Sequence, residues 1–322
     1  MPYDILEKAL KQTNVGYLNA TAQIFGKDLT EADKKHAIKS RLDPIKYLSQ
    51  LVPDARELLS YMRTNGIILS GSRATAYFTP SACTNESDWD FYIPEKARWN
   101  SHKTSQFIKF LKHLGVSIVS MSFKDTHEYF ATENSINTIT ELVIQHRTEN
   151  KIQLVSHSNN SSLSVVLSFD LSINQCIFTG YCAISLYHQF TKNNETIDWK
   201  INKKDSIAKA YKTELEQLKA RYTDFKEELF LGYILLNAWN DRTIKYIARG
   251  IKIVDCIYTR QGRVTKHHTI PRLIDDTRSL IIEFNDYDIP SYKTMCNPLD
   301  IGWIEMGCEI YSNYYIRFPS IF

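Results

Sequence analysis

The sequence predicts an α+β fold: a mixed β-sheet with flanking helices and a mostly helical C-terminal extension. Three observations carry this. Helical and strand patterns alternate through the first half of the chain. Two apolar runs, 138–145 and 151–155, are separated by a polar loop around Glu149-Asn150 and read as paired strands. From about residue 205 the pattern becomes charged and helical. A mixed sheet with helices packed on it is the layered arrangement that suits this order. The boundaries that follow are an N-terminal helical segment over 1–65, a core over 66–185 and a helical and aromatic region over 186–322.

The elements are justified in order. Residues 3–14 place Ile5, Leu6 and Leu10 on one helical face. Thr30-Glu31-Ala32-Asp33 caps a second helix to about residue 40, and 42–51 suits a short third. Pro53-Asp54-Ala55-Arg56-Glu57 opens a fourth helix, with Pro at an early position, Leu58, Leu59 and Met62 on its apolar face and Gly66 as its stop. Residues 67–70 are an apolar strand, and a short helix runs on through Tyr77. Residues 88–93 form the next strand. An amphipathic helix over 101–114 carries Phe107, Ile108, Phe110, Leu111 and Leu114, and Gly115 stops it. Residues 116–121 and 165–173 are read as further strands. Beyond the core, 206–228 is a helix dense in both charges, read as a solvated face with i,i+4 pairs or, alternatively, as a basic face beside a nucleic-acid or triphosphate groove. Residues 230–249 form a more apolar helix, and 251–258 a strand or extended connection.

Composition narrows the class. A chain of 322 residues, 43% hydrophobic and 23% charged, is an ordinary globular sequence of one or two domains. A net charge of +3 is too small to make the whole chain a nucleic-acid binder. The six cysteines include no CxxC pair and no Cys/His set at zinc spacing. No stretch approaches a membrane span and no signal peptide is read, so the expected location is intracellular, cytoplasmic or nuclear.

The chemistry concentrates in Ile67-Ile68-Leu69-Ser70-Gly71-Ser72-Arg73-Ala74 and Asp88-Trp89-Asp90-Phe91-Tyr92. On a strand, residues i and i+2 share a face, so Asp88 and Asp90 point together. Such a pair needs water, a basic partner or a divalent cation. Mg²⁺ takes one or two carboxylates together with substrate phosphates. The turn at Gly71-Ser72 supplies the complementary half. Gly71 permits close backbone approach, Ser72 is placed to cap the following helix, and that helix N-terminus favours a phosphate. Arg73 faces either phosphate oxygens or the Asp88/Asp90 pair.

Gly71-Ser72, a gap of fifteen residues and Asp88-Trp89-Asp90-Phe91 resemble the signature of the nucleotidyltransferase-fold (DNA polymerase β-like) superfamily. The longer string around Ser70-Gly71-Ser72-Arg73-Ala74, Tyr77-Phe78 and Ser87-Asp88-Trp89-Asp90-Phe91-Tyr92 also resembles uncharacterised fungal proteins of this type. The resemblance is strong over about 66–95 and weaker to about 180. It implies a third carboxylate on a later strand, for which Asp170 is the candidate; read alone, Asp170 is a strand-end aspartate or half of a buried salt bridge. It further implies a nucleotidyltransferase core in which Asp88, Asp90 and Asp170 are catalytic and hold Mg²⁺ or Mn²⁺, while Gly71, Ser72 and Arg73 hold the nucleotide. The reaction implied moves a nucleoside monophosphate from a nucleoside triphosphate to an acceptor hydroxyl, releasing pyrophosphate. An RNA 3′ end is the favoured acceptor, beside a small-molecule or protein hydroxyl. A toxin that nucleotidylates a host RNA or protein would use the same chemistry. The alternative function is a non-catalytic nucleotide-binding scaffold that keeps the fold.

Weaker features have plainer readings. His267-His268 is a surface loop, and Asp275-Asp276 with Arg272 and Arg278 is an ion-pair cluster at a helix start; Glu86 and Glu95 flank the carboxylate pair and are read as solvated loop residues, with tuning of the pair as the alternative. Tyr77 and Phe78 are core residues rather than base-stacking ones.

Overall fold

The computed structural model describes residues 6, 9, 18–30, 42–95, 102–124, 136–158, 161–169, 171–198, 212–221, 226, 244–255, 269–294, 302–306 and 309–311. Most of the helices expected over 3–14 and 30–40, and the His267-His268 pair, lie outside them.

Local signals set the first elements. Helix α1 spans Leu18–Ile24. Helix α2 (Pro44–Leu48) is capped by the Asp43 carboxylate, which accepts from the backbone N–H of Ile45 and Lys46. Helix α3 (Ala55–Asn65) starts at Asp54, whose side chain accepts from Glu57 N at 2.9 Å, and ends at Gly66 with φ 64°. Pro53 thus stands just ahead of the helix rather than inside it. Leu58, Leu59 and Met62 are fully buried against the sheet, and each contributes about 1.5–3 kcal/mol by burial.

Strand β1 (Ile68–Ser70) leads directly into helix α4 (Gly71–Phe78), and β2 (Trp89–Pro94) follows. Helix α5 (His102–His113) crosses to β3 (Ser117–Lys124), β4 (Ile136–Gln145) and β5 (Glu149–His157). Helix α6 (Ser162–Leu167), β6 (Cys176–Phe178), β7 (Cys182–Ser185), α7 (His188–Thr191) and β8 (Glu195–Asp198) come next. The described C-terminal elements are α8 (Lys212–Arg221), β9 (Lys252–Asp255), β10 (Thr269–Leu273), β11 (Leu280–Glu283), β12 (Gly302–Met306) and β13 (Glu309–Tyr311).

Among the described residues the main sheet has eight strands in the order β11-β7-β6-β1-β2-β5-β4-β3. It is mixed: β2 runs parallel to β5, and β1 is antiparallel to β2 and β6. Alternating side chains feed two cores. Leu69, Trp89, Phe91, Ile93 and Leu154 face α2, α3 and α5. Ile68, Tyr92, Ile139 and Val155 face α6 through Leu163 and Val166. The α+β class and the mixed sheet with flanking helices are as the sequence predicts.

Three expectations need correction. The described residues of 165–173 do not form the expected strand: 162–167 are the helix α6 and 172–174 a 3-10 turn. Ser161 caps α6 by accepting from Leu163 N at 3.1 Å, and Ser168 Oγ closes its end on Val165 O at 2.6 Å. An apolar run of this length has no period of its own, so these serines decide it. Secondly, the C-terminal region contributes strands as well as helix. β11 pairs with β7 and extends the main sheet past residue 185, while β8 and β9 form a parallel pair. The Asp275-Asp276 cluster is a turn, not a helix start: Asp276 Oδ1 accepts from Arg278 N at 3.0 Å and Ser279 N at 3.2 Å.

Candidate functional site

The site is built at the junction of β1 and α4. Ser70, Asp90 and Gln153 are register partners across β1, β2 and β5, and paired residues share a face of the sheet. Gln153 is in turn paired with Glu141 on β4. A row of polar side chains therefore crosses four strands of the sheet at this level. Ser70 is the N-cap residue of α4, where Ser72 was expected. The Ser70 hydroxyl does not cap; it donates to Cys176 O at 2.7 Å. Thr75 Oγ1 donates to Ile173 O at 2.6 Å, which ties α4 to the 172–176 segment.

Gly71 has φ +70°, and a Cβ on it would lie 2.5 Å from Asp90 Oδ2. Both the left-handed backbone and the adjacent carboxylate demand glycine there. All eight residues of α4 are buried, and Ser72, in its first turn, is 6% exposed. Asp88 and Asp90 are half-buried, whereas Trp89 and Phe91, on the opposite face, are fully buried. Gln153 Nε2 donates to Asp88 Oδ2 at 3.0 Å.

Arg73 does not pair with Asp88 or Asp90 but binds the loop ahead of them. Its Nε donates to Ser87 O and its Nη2 to Asn85 O, both at 3.0 Å, and its guanidinium lies 4.9 Å from the Trp89 ring centroid. The third nitrogen, Nη1, sits 3.8 Å from Cys83 Sγ. From the other side Arg249 Nη1 donates to Ala82 O at 2.6 Å and Nη2 to Ser87 Oγ at 2.9 Å. Two guanidiniums thus brace the loop that delivers Asp88. Tyr246, on the helical turn that precedes Arg249, bonds Asn174 through its hydroxyl. Burial pushes the Cys83 thiol up, against the opposing effect of both arginines.

Glu95 has a different role from the solvated one expected. It is buried, and its carboxylate accepts from Lys103 N at 2.8 Å, Thr104 N at 3.2 Å and Thr104 Oγ1 at 3.0 Å. It satisfies the N-terminus of α5. Glu86 is exposed.

Asp170 lies outside the described residues. Among the described residues no group of three or more His, Cys, Asp or Glu is placed to hold a metal ion. The Asp88/Asp90 pair fits a hard cation by its donor set, since Mg²⁺ needs only one or two carboxylates when phosphates complete its shell. Sequence reasoning missed Ser70, Gln153 and Arg249. The one available signal was Gln153, a lone amide in Ile152-Gln153-Leu154-Val155. Among the described residues no helix is long and apolar enough to cross a membrane.

No curated protein and no solved structure matches the chain. Residues 43–196, just under half of the chain, match a family described as Gabija anti-defense 2 family protein. The similarity to that family runs from the cap of α2 to β8 and takes in Gly71, Asp88, Asp90 and Gln153.

Proposed function

We propose that this chain is a metal-dependent nucleotidyltransferase. The observation that carries the reading is the Asp90 carboxylate lying against Gly71 at the start of α4, with Asp88 two residues earlier, just ahead of β2 and held by Gln153. The backbone N–H groups of the first turn of α4 and the Ser72 hydroxyl would bind the phosphates of a nucleoside triphosphate. Asp88 and Asp90 would hold Mg²⁺ or Mn²⁺, with Asp170 as the third carboxylate. Bound there, the cation supplies charge neutralisation for the attacking and leaving oxygens. Asp170 would bind the second cation or draw the proton from the acceptor hydroxyl. The acceptor oxygen bonds to the α-phosphorus, the bond to the β-bridging oxygen breaks, and pyrophosphate leaves. Arg73, committed to the loop carbonyls, supports Asp88 from behind rather than touching phosphate.

The family matched over 43–196 is named for anti-defense, and that supports a macromolecular acceptor whose modification disables a defense. An RNA 3′ end is our first choice and a protein hydroxyl the second. The test is incubation of the full chain with Mg²⁺ or Mn²⁺, each labelled nucleoside triphosphate, and total cellular RNA and protein. We expect label on one fraction, with pyrophosphate released, and none with the Asp88→Ala/Asp90→Ala variant. Equal transfer by that variant, or no nucleotide binding at all, would overturn the reading and favour a non-catalytic scaffold.

A further inference from the structure

Gln153 stands out on β5. It is 6% exposed between fully buried Ile152 and Leu154, and a buried amide in an apolar strand is costly unless its hydrogen bonds are made. Its backbone is the register partner of Asp90 on β2, while its side chain donates to Oδ2 of Asp88 at 3.0 Å. One residue therefore touches both halves of the carboxylate pair, one through the strand ladder and one through its amide.

The residue type is informative. A lysine or arginine at this place would neutralise Asp88 and compete with a cation. A carboxylate would repel it. An amide orients the carboxylate by a neutral donor and leaves its charge available. Partners of this kind behind metal ligands fix ligand orientation, and their loss typically costs about 10–100-fold in metal affinity.

We propose that Gln153 is a positioning residue for the carboxylate pair: by holding Asp88 it sets the geometry in which Asp88 and Asp90 bind one divalent cation together. This rests on the nucleotidyltransferase reading above.

The test is Mn²⁺ binding to the full chain, followed by the electron paramagnetic resonance signal of free Mn²⁺, with melting curves in chelator. The proteins are wild type, Gln153→Met, Gln153→Glu and Asp88→Asn. Gln153→Met keeps the volume and removes the donor. It is expected to weaken Mn²⁺ binding about tenfold or more and to raise the Mn²⁺ concentration for half-maximal transfer, with kcat at saturating Mn²⁺ near wild type. Gln153→Glu faces Asp88 with a second acceptor. Its melting temperature in chelator is expected to fall and to recover with Mn²⁺, which a purely structural defect would not do. Wild-type Mn²⁺ affinity in Gln153→Met, or a Gln153→Glu defect that Mn²⁺ does not recover, would overturn the proposal and leave the nucleotidyltransferase reading standing. Mn²⁺ binding unaffected by Asp88→Asn would overturn both.

Discussion

The Asp90 carboxylate sits so close to Gly71 that a methyl group on that glycine would fall 2.5 Å from Oδ2. The contact joins the first residue of α4 to the second residue of β2, and it fixes where a carboxylate meets a helix N-terminus. Gly71→Ala is expected to act twice. The left-handed backbone costs about 1–3 kcal/mol for a residue with a Cβ, and Asp90 has to swing away. The melting temperature should drop, and transfer per folded molecule should fall more than tenfold. Wild-type transfer by a folded Gly71→Ala protein would show that the closeness of Asp90 to the helix start is not used.

Arg73 and Arg249 approach the 82–87 loop from two parts of the chain. Arg73 is buried, bonded to two carbonyls and stacked on Trp89, so lysine cannot replace its planar fork. Arg73→Lys is expected to cost about 2–4 kcal/mol in urea unfolding. Arg249 is only half-buried, and Arg249→Ala should cost about 1–2 kcal/mol. Its diagnostic effect is elsewhere: loosening Ser87 loosens Asp88, so the Mn²⁺ dependence of transfer should shift to higher concentration. An Arg249→Ala protein that is destabilised but has unchanged Mn²⁺ dependence would confine Arg249 to holding the fold.

The parts of this fold that sequence made legible are those with local causes. Gly66 ends α3 and Gly115 ends α5, because left-handed stops act within a turn. Strand period places Trp89 and Phe91 in the core and turns Asp90 away from it, while Asp88 stands just ahead of β2. What was hidden depends on chain segments meeting at a distance. The parallel pairing of β2 with β5 brings Gln153 beside Asp90, and nothing near either residue announces it. Arg249 meets Ser87 across 162 positions. The 162–167 helix was misread as part of a strand because Leu163, Val165, Val166 and Leu167 are all buried, so neither period shows. Ser70 and Ser72 are equally good caps by composition; the structure turns Ser70 onto Cys176 O instead.

Glu95 offers a test of stability separate from the chemistry. Its carboxylate accepts from two backbone N–H groups at the start of α5 and from the Thr104 hydroxyl. Glu95→Ala leaves these donors without a partner in a buried place. The expected loss is about 2–4 kcal/mol by urea unfolding. Glu95→Gln keeps the acceptor oxygen and should recover part of it. Mn²⁺ affinity should stay at the wild-type value in Glu95→Gln, since Glu95 serves the helix and not the carboxylate pair.

His188 predicts the acid limit of the fold. Burial pushes its ring down from about 6.5 to about 4, with Lys192 adding to the shift. Among the described residues its buried Nδ1 has no hydrogen-bond partner. In the unfolded chain the ring takes a proton near pH 6.5; in the fold it resists until about pH 4. The unfolded state therefore binds more protons between these values, and stability rises with pH there. The contribution is complete above about pH 6.5, declines as pH falls towards about 4, and changes no further below that. Because the ring is partly exposed, solvent screening reduces the size of the effect. His188→Gln removes the titration. Melting temperatures of wild type and His188→Gln should therefore run parallel above pH 6.5 and converge or cross between 6.5 and 4, with the wild type losing more. Parallel curves through that window would mean that His188 protonates in the fold as readily as in the unfolded chain.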